Sequence, residues 1–188
     1  TNIKKDKPDV IWPVLHGASG EDGALRDILS LTGVPYVGAS AQAARLAWDK
    51  SIAKILVAEQ GIQTPPSVTL PKETFRELDA ESVLKAVTSS LSLPLVVKPA
   101  RSGSAQGVTL VTKADQLSRA MVDAYVYCDV AIIEKMVEGT ELAISVIDLG
   151  AGPIALPAVE IEPIDGHFGY QERYTAGETN YYVPARLS

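Results

Sequence analysis

Residues 95–111 read LVVKPARSGSAQGVTLV, and this stretch decides the fold class of the chain. An apolar strand is predicted at residues 95–98, a glycine- and serine-rich loop at 101–107 and a second strand at 108–111. Lys98 ends the first strand, and a lysine fixed beside the N–H groups of a glycine loop suits a phosphate group. The loop is not a Walker A loop, because no Gly-Lys-Ser/Thr opens a helix there. The alternative is a flexible hairpin with a surface lysine.

Helices and strands are predicted on both sides of this stretch. The predicted helices lie at residues 24–31, 41–47, 50–60, 80–90 and 114–127, and the further strands at 10–15, 34–37, 67–70, 131–134, 142–149 and 154–161. Asp49 is expected to cap the helix that starts at Lys50, and Thr112 with Asp115 to cap the helix that starts at residue 114. Residues 165–178 are expected to form a long loop. This order indicates an α/β (α+β) fold.

The composition excludes several classes of protein. The chain has 188 residues, of which 46% are hydrophobic and 21% charged, as in an ordinary globular domain. A net charge of −6 disfavours a nucleic-acid binder, and no apolar run is long enough to predict a membrane span. Cys128 is the single cysteine, so no intramolecular disulfide is expected, which fits a cytoplasmic protein, and we interpret Cys128 as structural. The sequence has no initiator Met or signal peptide, and a fragment is expected.

Three further stretches carry residues suited to ligand binding. Residues 16–23, HGASGEDG, place His16 before a glycine loop that suits an anion; the alternative is a turn with capping acids. Residues 132–141, IIEKMVEGTE, offer main-chain groups and carboxylates for a nucleoside, or else form an exposed acidic turn. Residues 167–174, HFGYQERY, with 181–185, suit a loop that closes over a substrate, or else pack on their own aromatic rings. We predict no metal site, because no Cys/His cluster has zinc spacing.

Taken in order, these stretches resemble the D-alanine–D-alanine ligases of the ATP-grasp superfamily. HGASGEDG matches the first signature of that family, and Asp49 and Lys50 followed by Lys54 match the start of its central domain. VKPARSGSAQGV resembles its phosphate-binding loop, EKMVEGTEL its nucleotide hinge, and QERYTAG with YYVPARL its substrate-covering segment. The five matches span nearly the whole chain.

The resemblance implies a division of the chain and an activity. It implies an ATP-grasp architecture with part of an N-terminal domain at residues 1–38, a central subdomain at 39–134 and the beginning of a C-terminal subdomain at 135–188. The implied enzyme joins two D-alanines for peptidoglycan synthesis. ATP would phosphorylate the carboxylate of the first D-alanine, and the amine of the second would attack the acylphosphate and expel phosphate.

The resemblance also implies partners. These are ATP, D-alanine, Mg²⁺ or Mn²⁺ and a second copy in a homodimer, with no nucleic acid and no membrane. The metal ligands of the family have no counterpart in these 188 residues, so we expect the chain alone to be inactive.

For the nucleotide, the resemblance implies roles residue by residue. Lys50 and Lys98 would hold the ATP phosphates, covered by the loop around Gly103, Ser104 and Gly107.

The nucleoside would be held by the hinge. Lys135 and Val137 would meet the adenine through the main chain, near Glu134, and Glu141 would hold the ribose. Arg173 is expected to contact ATP and stands where the family usually has Lys, so the charge is kept with another geometry.

Catalytic roles are implied for three residues. His16 would lie near the first D-alanine, and Ser104 with Tyr174 would link the phosphate loop to the covering loop. Tyr174 favours D-alanine as the second substrate, because ligases that incorporate D-lactate tend to have His there. Arg26 and Asp27 depart from the family, which usually has Gln and a small residue at these positions.

Three alternatives stay open at this point. The chain can be a nucleotide-binding ATP-grasp fragment without turnover, or part of a ligase for another amino or hydroxy acid such as D-lactate. A dinucleotide-dependent oxidoreductase is disfavoured, because the glycine loop after Leu15 lacks the Gly-x-Gly-x-x-Gly spacing.

Overall fold

A four-stranded antiparallel sheet is built around residues 95–111. The structure is a computed structural model that describes residues 2–187. The strands of the sheet are β1 (Ser67–Pro71), β2 (Leu95–Pro99), β3 (Thr109–Val111) and β4 (Val130–Lys135). Their order is β1-β4-β2-β3, so β4 and β2 lie at the centre. All four agree with predicted strands, and the mixed α/β fold class is confirmed.

Helices precede and connect these strands. Within residues 2–136 they are α1 (Asn2–Asp6), α2 (Ala18–Glu21), α3 (Ala24–Ser30), α4 (Ala41–Trp48), α5 (Lys50–Glu59), α6 (Lys72–Glu77), α7 (Ala80–Leu91) and α8 (Leu117–Tyr125). Five of them, α3, α4, α5, α7 and α8, agree with predicted helices, whereas α1, α2 and α6 are additional. Asp49 caps α5 as predicted, because its carboxylate accepts hydrogen bonds from the N–H groups of Ser51 at 3.0 Å and Ile52 at 3.4 Å.

The alternation of residues along β2 separates two faces of the sheet. Leu95 and Val97 are fully buried on one face, in the same apolar core as Met121 of α8. Lys98 lies on the opposite face, and the register of β2 with β4 brings Glu134 to that face as well. One strand therefore supplies the core with its apolar residues and the other face with a cation.

Residues 10–15 do not form the predicted buried strand. Their one β-type contact is an isolated parallel bridge between Ile11 and Tyr36, which also replaces the strand predicted at 34–37. Trp12 is 76% exposed and Val14 is also exposed. The prediction failed because an apolar run becomes a strand only where a neighbouring strand pairs with it, and the described residues supply no such ladder here.

The helix predicted at residues 114–127 differs at both ends. It begins with a 3-10 turn at Ala114–Gln116 and ends at Tyr125. The predicted pairing of Thr112 with Asp115 is wrong: the side-chain oxygen of Gln116 accepts the N–H groups of Thr112 and Lys113, each at 3.0 Å. An amide on the longer Gln side chain reaches back to the start of the turn.

A second compact unit follows Met136. Its elements are β5 (Glu141–Ala143), β6 (Val146–Asp148), β7 (Pro153–Ala155), β8 (Val159–Pro163), α9 (Tyr170–Tyr174) and β9 (Thr179–Tyr182). β5, β8 and β9 form one sheet, and β6 and β7 form a hairpin. The strands predicted at 142–149 and 154–161 are thus each divided in two. The inner halves, β6 and β7, pair with each other, whereas the outer halves, β5 and β8, pair in the other sheet.

The loop predicted at residues 165–178 contains the short helix α9. The carboxylate of Glu172 accepts the N–H of Gly169 at 3.0 Å, which satisfies one donor at the start of this helix. In the same unit Arg186 pairs with Glu160 at 2.6 Å and lies 3.4 Å above the ring of Tyr182. The three-part domain division stays a prediction. Every helix within residues 2–187 is too short or too polar to cross a bilayer.

Substitution of Gly107 by Ala is expected to destabilise the first unit. Gly107 has φ +70, and a Cβ atom there would lie 2.7 Å from Tyr127 and 2.8 Å from Pro99. The matched control is Gly61→Ala, since Gly61 has φ +77 and nothing within 4 Å of a Cβ. We expect Gly61→Ala to cost about 1 kcal/mol of the free energy of unfolding and Gly107→Ala about 2 kcal/mol more, measured by urea denaturation. Equal costs would contradict the role of the close contact.

Candidate active site

A buried carboxylate between two lysines forms the centre of the site. Glu134 of β4 is 9% exposed; its Oε2 lies 2.7 Å from Nζ of Lys54, and its Oε1 pairs with Nζ of Lys98. Lys54 comes from α5 and Lys98 from β2, with side chains 18% and 22% exposed. The cluster joins one helix to the two central strands, and it carries one surplus positive charge.

The lysines keep the Glu134 carboxylate ionised. Burial alone would raise its pKa, but hydrogen bonds from Lys54 and Lys98 outweigh burial and bring the pKa below its ordinary value. The folded protein therefore binds this proton less tightly than the unfolded chain.

Lys50 connects α5 to the glycine- and serine-rich loop. Its Nζ donates to the carbonyl of Ser102 at 2.7 Å, and its backbone N–H donates to the carbonyl of Ala100 at 2.9 Å. Burial, followed by the nearby charge of Lys98, lowers the pKa of Lys50. Two ammonium groups that raise each other's electrostatic energy form a site that an anion would stabilise.

The histidine of the first glycine loop lies against the second loop. His16 Nε2 and Ser104 Oγ share a hydrogen bond of 2.5 Å, although 88 positions separate the two residues. His16 Nδ1 lies 3.5 Å from Glu21 Oε2, which accepts the N–H of Gly17 at 2.6 Å. A methyl group on Gly103 would lie 3.6 Å from His16 Nε2, so Gly103 also faces this side chain.

The loop has an unusual backbone where it meets His16. Ser104 and Ala105 have φ of +52 and +56, a region that non-glycine residues rarely adopt. The N–H of Gln106 donates to the carbonyl of Gly103 at 3.1 Å, and the N–H of Val108 to that of Ala105 at 3.2 Å. Consecutive tight turns of this kind form a compact loop. Strained conformations of this type concentrate at functional sites.

Two residues that depart from the expected family pattern have partners in the structure. Arg26 donates a hydrogen bond to the carbonyl of Gly20, and Asp27 pairs with Arg45 of α4. Both therefore support the contact between α3, the glycine loop before it and α4.

Lys135 is anchored to the segment before β2. Its Nζ donates to the carbonyls of Leu93 at 3.0 Å and Ser92 at 3.4 Å, and its backbone N–H donates to the carbonyl of Pro66 at 3.0 Å. These bonds hold the end of β4.

The other predicted site residues belong to the second unit. Val137 and Glu141 are exposed at its start. The Arg173 guanidinium lies 3.9 Å above the ring of Phe168. The rings of Tyr174 and Tyr170 lie 4.9 Å apart. The predicted roles of these residues, and the predicted link between Ser104 and Tyr174, stay predictions.

Sequence reasoning gave no role to two residues of the site, Lys54 and Glu21. Lys54 follows Lys50 by four positions on a predicted helix, which places both on one face and is a usable signal. Glu21 had no comparable signal, because its contact with His16 depends on the turn of α2. Among residues 2–187, no three or more His, Cys, Asp and Glu side chains are grouped to hold a metal ion.

The fold, and the contact between the loops at residues 16–23 and 101–107, define an ATP-grasp protein. The protein-family model described as "D-ala D-ala ligase C-terminus" matches residues 56–188 of the sequence. The family model described as "D-ala D-ala ligase N-terminus" matches residues 1–39. The chain belongs to the D-alanine–D-alanine ligase family.

Several relatives support this assignment. The chain is 33% identical over 185 residues to the D-alanine–D-alanine ligase of Pelotomaculum thermopropionicum, covering 98% of the chain and 58% of the relative. It is 35% identical over 179 residues to that of Bordetella petrii, covering 95% and 52%. The chain thus spans about half the length of the curated relatives it matches.

Solved structures agree with the fold. The VanG D-Ala:D-Ser ligase of Enterococcus faecalis matches with a TM-score of 0.81 and 37% identity, over 96% of this chain and 51% of that one. The D-alanyl-alanine synthetase A of Vibrio cholerae matches with a TM-score of 0.80 and 26% identity, over 96% and 54%.

Substitution of Glu134 by Gln tests the electrostatics of the cluster. The variant leaves two half-buried lysines without their anion, so we expect a loss of about 3 kcal/mol in the free energy of unfolding at pH 7. Because the pKa of Glu134 is lowered on folding, its stabilisation is present above the ordinary pKa of 4.5 and is lost as the pH falls through the folded value.

The measurement is urea unfolding of both proteins from pH 7 down to about pH 3. The difference between wild type and Glu134→Gln should shrink as the pH falls below about 5. Glu59→Gln, an exposed change on α5 with the same loss of charge, is the control and should show no such convergence. A difference that stays constant with pH would contradict the ionised cluster.

Proposed function

We propose that this chain supplies the ATP site of a ligase that joins two D-alanines through an acylphosphate. The observation that carries the proposal is the position of Lys50, which donates to the carbonyl of Ser102 in the 101–107 loop and lies near enough to Lys98 for the two charges to repel, in a member of this ligase family. Two ammonium groups, together with backbone N–H groups of the 101–107 loop, suit a polyphosphate. His16, in contact with the same loop, would then lie beside the acceptor of the γ-phosphate, the first D-alanine.

Phosphorylation gives the carboxylate of the first D-alanine a leaving group. The amine of the second D-alanine attacks the acyl carbon, a C–N bond forms, the C–O bond to phosphate breaks, and the amine gives up a proton. The acylphosphate must be kept from water, and we assign that task to the aromatic segment with Tyr174 and Arg173. We assign the adenine to the main chain of Lys135 and Val137 near Glu134.

Further roles are proposed for the complete enzyme. Glu141 would accept hydrogen bonds from the ribose hydroxyl groups. Mg²⁺ or Mn²⁺ would neutralise phosphate charge when bound, and no described residue is assigned to hold it. We also propose a homodimer in the cytoplasm that serves peptidoglycan synthesis, the role that follows from the family.

Binding of the ATP analogue AMP-PNP tests the phosphate site. We expect the wild-type chain to bind it in a calorimetric titration, and Lys98→Met to weaken binding at least tenfold, because about 1.5–3 kcal/mol is lost with one charged hydrogen bond. Lys85→Met, an exposed change on α7 with the same loss of charge, should bind like wild type. Thermal unfolding of each variant confirms that it is folded. Equal affinities for wild type and Lys98→Met would contradict the proposal.

The second substrate is tested on the complete gene product. One of the similar structures is a D-Ala:D-Ser ligase, so D-serine is a specific alternative to D-alanine. With ATP, Mg²⁺ and D-alanine alone, we expect phosphate release and D-alanyl-D-alanine in the mass spectrum. In mixtures with D-serine or D-lactate, the D-alanine dipeptide should dominate. A mixed dipeptide or depsipeptide as the main product would contradict this assignment.

A further inference from the structure

Lys54 is a half-buried cation to which the proposed reaction assigns no task. Its Nζ donates to Glu134 Oε2 at 2.7 Å and to the carbonyl of Pro65 at 2.8 Å. A backbone carbonyl is a fixed acceptor, so the Pro65 bond sets the position of the ammonium group. The ammonium in turn fixes one oxygen of the carboxylate.

This arrangement determines how Glu134 meets Lys98. With Oε2 held by Lys54, only Oε1 pairs with the Lys98 ammonium. Without Lys54, both carboxylate oxygens of Glu134 would be available to Lys98, and the Lys98 ammonium group would use two of its donors on Glu134. Lys54 therefore leaves donors of Lys98 for another acceptor, since an ammonium group has three.

The charge of the cluster depends on the same residue. Lys98 and Glu134 together are neutral, and Lys54 adds one positive charge to them. The three side chains are between 9% and 22% exposed, so solvent screens this charge less than it would at the surface. A net positive, partly desolvated cluster attracts a phosphate more strongly than a neutral pair.

We propose that Lys54 is a positioning residue of the nucleotide site, which holds Glu134 so that Lys98 is presented to a phosphate. The inference rests on the proposed binding of ATP. Lys54 itself touches Glu134 and Pro65 and acts through them. Its removal should affect a ligand with phosphates and spare the same ligand without them.

The experiment compares AMP-PNP with adenosine on the same chain. Wild type, Lys54→Met, Lys54→Arg and the control Lys85→Met are titrated with both ligands, and thermal unfolding checks each variant. We expect Lys54→Met to weaken AMP-PNP about tenfold with adenosine unchanged within twofold. Lys54→Arg, which keeps the charge, should restore most of the affinity, and Lys85→Met should match wild type. If Lys54→Met does not fold, Lys54→Gln, which keeps a donor for Pro65, takes its place with the same expectation.

Each other outcome overturns a defined statement. Equal weakening of AMP-PNP and adenosine would make Lys54 a merely structural residue, and unchanged affinity for both would show that it has no role in the site. Failure of Lys54→Arg to restore binding would overturn the charge argument. A wild-type chain that binds adenosine and AMP-PNP equally, or neither, would overturn the proposed nucleotide site itself.

Discussion

The ion cluster of Glu134, Lys54 and Lys98 is the constraint on which the rest of the first unit depends. A carboxylate that is 9% exposed needs compensation, and the compensation comes from a helix and from a strand. The cluster therefore fixes α5 against β2 and β4. Once α5 is fixed, Lys50 meets the carbonyl of Ser102, and the loop between β2 and β3 has a defined position. The contact of Ser104 with His16 then joins the first glycine loop to the same place.

Much of this organisation could be predicted from local pattern. The four sheet strands, five helices and the cap at Asp49 follow from alternation, helical spacing and side-chain chemistry, all of which act within a few residues. The stretch at residues 10–15 shows where this reasoning stops. Its apolar residues are those of a strand, but a strand needs a ladder, and pairing is a property of distant residues. The division of residues 142–161 into four strands has the same cause.

The candidate site divides in the same way. Lys50, Lys98, Gly103 and Ser104 could be selected because a lysine at a strand end and a glycine loop are visible in the sequence. The partners of those residues could not be identified from the sequence. The contact of Glu134 with Lys54 joins positions 80 apart, and that of His16 with Ser104 joins positions 88 apart, and neither spacing carries a pattern. A prediction from sequence thus finds the groups that carry charge and misses the bonds that orient them.

The alternation along β2 has a consequence for how such a protein changes over time. Leu95 and Val97 belong to the core, and Lys98 belongs to the opposite face of the sheet, where we propose that the nucleotide binds. Selection for thermal stability and selection for ligand preference therefore act on different residues of one short strand. A lineage can replace side chains on the face of Lys98 while the core keeps its packing. The proposed ligand contacts can then change in small steps, each of which leaves a folded protein.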